Sequence, residues 1–148
     1  MRLGYALTAL VFTSLPTVAA DELPNELLLR CEGNMNAVLD SPTPQTRNTN
    51  FAINLRLKDR SIIDAQTGVV EGAECIQQNG EIRCEVTKLY PLPNSIIKRF
   101  STVFINRNTR ELTLWVESWD YPGADASGTP TAHMRALRTG LCRDDALF

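Results

Sequence analysis

Apolar and polar residues alternate along much of this chain with a period of two. Phe51, Ile53, Leu55 and Leu57 take turns with Ala52, Asn54, Arg56 and Lys58, the pattern of a strand with one buried and one wet face. Residues 81–90, 96–107, 111–119 and 132–143 also read as strands, as do the shorter stretches 26–32, 61–65 and 69–77. Gln66-Thr67-Gly68 separates the last two, and Pro91 and Pro93 break the chain after residue 90. Loops are expected over 33–50, which holds Ser41-Pro42-Thr43-Pro44, and over the Gly- and Pro-rich stretch 120–131. Residues 144–148 read as a loose tail. No stretch after residue 20 has uninterrupted helical periodicity. The expected fold is therefore all-β, an antiparallel meander of about seven to eight strands.

Turn chemistry fixes the register of two hairpins. Asn79-Gly80 is the strongest two-residue hairpin signal, because both central residues must take positive φ. Counting outward sets Gln78 against Glu81, Ile76 against Arg83 and Cys75 against Cys84. The two cysteines then form a non-hydrogen-bonded pair with Cα atoms ~4.5 Å apart, within disulfide reach. The same register, carried further, sets Glu71 against Lys88 and Val69 against Tyr90. It also sets Glu74 against Glu85, with Arg83 near enough to relieve the repulsion. The second hairpin turns at Asn108-Thr109 and pairs Val103 with Leu114 and Ile105 with Leu112. Its turn echoes residues 63–70: an apolar residue, then Asp or Asn, then Thr, with the first polar side chain bonding the backbone ahead.

Four cysteines, all beyond residue 30, read as two disulfides of an exported domain. With Cys75 paired to Cys84, Cys31 is left to Cys142. That bond joins the first strand to the last and favours a small barrel over a sandwich. A zinc site is not expected, because the chain has no Cys-x-x-Cys spacing and its lone histidine, His133, lies far from the cysteines in sequence.

The start of the chain supplies an address. Arg2, an uncharged apolar run from Leu3 to Leu15, and Val18-Ala19-Ala20 read as a signal peptide cut after Ala20. Residues 21–148 then form one exported domain, periplasmic or secreted. No cysteine directly follows the cut, so no lipoprotein-type anchor is expected, and no second apolar run is long enough to span a membrane. The formal charge is −2, and loss of Arg2 makes it one unit more negative, which does not suit a nucleic-acid binder. Arg135, Arg138 and Arg143 read as the charged face of a strand.

One hairpin carries the candidate chemistry. Strand alternation puts Phe100, Phe104, Trp115 and Trp119 on the face opposite Val103, Ile105, Leu112 and Leu114, with Trp115 across from Thr102. A hairpin apolar on both faces either presents a binding surface, lines a barrel cavity or is covered by the loop that follows it. His133 with Ser118 or Ser127 has no recognisable catalytic spacing. The carboxylate pairs Glu71/Glu74 and Asp120/Asp125 lack calcium-loop spacing. The expectation is a non-enzymatic binding module without a cofactor or metal, taking a protein or a small apolar ligand on the four aromatic residues. A structural envelope protein and a small secreted hydrolase using His133 are the alternatives.

Overall fold

The computed structural model describes residues 23, 25–40, 43–64 and 70–144. They form eight strands: β1 (Glu26–Asp40), β2 (Gln45–Lys58), β3 (Ser61–Asp64), β4 (Ala73–Gln78), β5 (Glu81–Pro91), β6 (Ser95–Asn106), β7 (Glu111–Pro122) and β8 (Ala132–Asp144). Each pairs antiparallel with the next, and β8 returns to β1, so the sheet closes into a barrel. The expected leader, its cleavage site, the expected break at Gln66-Thr67-Gly68 and the end of the tail lie outside the described residues.

The hairpin registers follow their turns. Gln78 pairs with Glu81 and Cys75 with Cys84; Asn79 and Gly80 have φ of 52° and 75°. In the second hairpin Ile105 pairs with Leu112 and Thr102 with Trp115. Its turn is built as the sequence implies, the Asn106 Oδ1 accepting from the amides of Asn108 and Thr109 at 2.9 and 3.0 Å.

Two expectations fail. Residues 33–50 are not a loop: β1 runs to Asp40 and β2 starts at Gln45, paired in register from Glu26↔Lys58 to Leu39↔Gln45. Of the residues between them, Thr43 and Pro44 are described and are not strand. Residues 45–50 are exposed throughout, so no buried face imposes alternation there. The strand expected over 69–77 starts only at Ala73. Gly72, with φ of 78°, turns the chain and its amide donates to the Ile62 carbonyl at 2.8 Å. The pairing of Glu71 with Lys88 is therefore not formed by β4, whose ladder with β5 stops at Glu74↔Glu85, and Val69, expected opposite Tyr90, lies outside the described residues. Arg83 pairs with Glu85, its Nε at 2.9 Å, and offsets that like-charge contact.

Both disulfides form as counted. Cys31 bonds Cys142 and Cys75 bonds Cys84, each with Cα atoms 4.0 Å apart, and no cysteine is free. Two disulfides fit an oxidising, extracellular-type compartment. The Cys75–Cys84 bond closes only nine residues. Changing both cysteines to serine is expected to cost about 2.6 kcal/mol by loop-closure entropy, read from urea unfolding.

The core sits where all eight strands contribute. Leu29, Leu55, Leu57, Ile62, Ile82, Val103, Leu112 and Leu114 surround both disulfides there. Toward the other end the inner face turns polar, with Lys88, Arg99, Ser118, Asp120 and Arg138 at inward positions. Arg99 lies over the Tyr90 ring at 4.8 Å and donates from Nε to the Ser118 hydroxyl at 3.2 Å. β3 and β4 do not reach this end. Among the described residues, 45–54 of β2 and 86–91 of β5 have a strand neighbour on one side only.

Candidate functional site: the outer wall over β6, β7 and β8

The closed sheet decides which face of the β6–β7 hairpin is core. Val103, Ile105, Leu112, Leu114 and Val116 point inward and are buried. Phe100, Phe104, Trp115 and Trp119 occupy the alternate positions and lie on the outer wall, each half-buried. They do not line the barrel interior. Between them Thr102 is only 4 % exposed although it too faces outward. It stands between Trp115 of β7 and Glu85 of β5, with Phe100 and Phe104 two residues away on its own strand.

Charged groups bound this aromatic band at both ends. The Arg83 guanidinium lies 5.4 Å from the centre of the Phe104 ring. At the other end His133 stacks on Trp119, ring centres 5.3 Å apart and planes 5° from parallel. The His133 Nδ1 is 3.3 Å from Asp40, its Nε2 is 3.4 Å from Glu117, and Arg135 reaches Asp40 at 3.2 Å. An apolar centre with a charged rim is the usual layout of a contact surface.

The same wall continues across β8, β1 and β2, and there it changes character. Two lines of cross-strand neighbours run from the rings: Thr102, Trp115, Leu137, Asn36, Asn48, and Phe104, Thr113, Thr139, Asn34, Asn50. The four asparagines, with Leu137 and Thr139, line a surface groove of about 350 Å³. This groove is absent from the sequence reading because its asparagines fall in the stretch read as a loop. The available signal was the spacing of Asn34 and Asn36, and of Asn48 and Asn50, at every second residue.

The residues weighed for catalysis do not come together. His133 is on the outer wall, while Ser118 points inward to Arg99 on the opposite side of the sheet. Ser127 is held by Asp125, which accepts from its hydroxyl and, at 3.1 Å, from its amide. Those two bonds, the hydroxyl first, keep the exposed Asp125 carboxyl below the usual carboxylate range. Asp120 faces inward on β7, apart from Asp125 in the loop. Among the described residues no group of three or more His, Cys, Asp or Glu is placed to hold a metal ion. Neither a protein-family model nor a curated protein nor a solved structure matches this chain.

Proposed function

We propose that this protein is a non-enzymatic binding module of the periplasm or extracellular space, working through the outer wall of β6 and β7. The observation that carries this reading is the outward placement of Phe100, Phe104, Trp115 and Trp119 around the buried Thr102, on a face that the closed barrel does not need for its core. Aromatic area held outside a core is uncommon without a partner to cover it. Its outward placement favours a partner laid against the wall over a small apolar molecule inside the barrel. Elsewhere the wall carries ion pairs such as Arg30–Glu32 at 2.9 Å and Arg56–Glu26 at 2.8 Å, whereas a membrane barrel carries an apolar belt.

The test is capture by the immobilised, oxidised protein from native envelope material, soluble and insoluble fractions alike, beside Trp115→Ala/Trp119→Ala. The expected result is a component retained by the wild type and lost by the variant, with β-type circular dichroism and both disulfides intact. Retention unchanged in the variant refutes the assignment to these rings. Retention of nothing on either column favours the structural envelope role.

A further inference from the structure

We infer that the groove lined by Leu137, Thr139, Asn34, Asn36, Asn48 and Asn50, with Trp115 beside it across the β7–β8 ladder, binds a neutral glycan. The inference rests on the reading of the outer wall as a binding surface and names its occupant. Three observations carry it.

The first is what the groove offers chemically. Each asparagine presents a planar amide with two N–H donors and one acceptor oxygen. Four such amides lining one groove match the mixed donors and acceptors of adjacent sugar hydroxyls, and Thr139 adds a hydroxyl of its own. The second is the absence of charge. Neither line of cross-strand neighbours, from Thr102 to Asn48 or from Phe104 to Asn50, contains an ionisable residue, in a chain of which 22% is charged. An anionic ligand, such as a nucleic acid or a lipid phosphate, finds no countercharge along these lines. A polar ligand without charge needs none.

The third is the order of the surface. The Trp115 indole stands next to Leu137 across the β7–β8 ladder, and Leu137 stands next to Asn36 across β1. An indole gives the C–H face of a sugar ring an apolar plane to pack on. From β7 to β2 is three strand spacings, ~14 Å, which a short oligosaccharide spans. Its first unit lies on Trp115 and its later units hydrogen-bond to the asparagines.

The experiment is binding of the full oxidised protein to a glycan array carrying neutral hexose and N-acetylhexosamine oligosaccharides beside uronic-acid and sulfated ones. It is repeated with Trp115→Ala and with Asn36→Ala/Asn48→Ala, whose exposed positions leave the fold intact. Neutral glycans are expected to bind with little salt dependence, and each variant to weaken Kd about tenfold or more. Binding confined to the charged glycans overturns the inference, as does neutral binding that the asparagine variant leaves unchanged. If no glycan binds but the wall still captures a protein in a Trp115- and Trp119-dependent way, the glycan is refuted and the binding-module reading stands. If neither is captured, both fall.

Discussion

Replacing Cys31 and Cys142 with serine is expected to cost about 4–5 kcal/mol, the larger of the two disulfide losses in this barrel. The bond closes a loop of 111 residues, so its loss frees the unfolded chain far more than loss of the nine-residue Cys75–Cys84 link. The serines would also sit where the cysteines are 0 % and 5 % exposed, among apolar side chains. A single domain has only ~5–15 kcal/mol in total, so the variant should unfold at a much lower urea concentration or fail to fold at body temperature. The check is urea unfolding of the wild type and both double-serine variants under non-reducing conditions. Equal losses in the two variants would mean that the long loop is already constrained in the unfolded chain.

Gly33→Ala and Gly140→Ala are each expected to cost ~3 kcal/mol or more. These two residues face each other across the β1–β8 ladder, two positions from the Cys31–Cys142 bond. A Cβ on Gly33 would stand 2.1 Å from the Thr139 carbonyl oxygen, and one on Gly140 would stand 2.2 Å from that of Glu32. The obstruction is backbone, so relief requires the two strands to move apart beside the disulfide. Gly128 makes the useful comparison. It has φ of 85° with nothing near its missing Cβ, so Gly128→Ala bears only backbone strain, ~1–2 kcal/mol. Thermal unfolding of the three variants separates the two causes. Equal shifts for Gly33→Ala and Gly128→Ala would dismiss the close-approach argument.

The parts of the fold legible in the sequence are those where local chemistry and burial agree. Asn79-Gly80 states its turn through the backbone, and the register it imposes carries Cys75 onto Cys84 without help from the rest of the molecule. Pairing the remaining cysteines then implies the meeting of first and last strands that closes the barrel. Residues 45–50 were illegible because hydrogen bonding to β1 alone makes them a strand, and a strand exposed on both faces leaves no period in the sequence. The early turn at Gly72 was hidden for a different reason. It depends on a bond to Ile62, a contact between neighbouring strands that no local pattern announces.

The aromatic face was legible by alternation alone, since Phe100, Phe104, Trp115 and Trp119 fall opposite Val103, Ile105, Leu112 and Leu114. Which face was core required knowing on which side the barrel closes. The amide groove needed more, since it joins residues of β1, β2 and β8 that are brought side by side only by closure.

Closure also orders events in time. β1 has β8 as one of its two neighbours, so the ring cannot be completed until the chain through residue 142 is available. Until then the growing sheet has an open edge at β1, and its most distant pairing carries the greatest entropic delay. For a domain exported unfolded, as the proposed function has it, such lateness is an advantage. The contact that locks the fold joins residues 111 apart in sequence, and the bond that seals it forms in an oxidising compartment.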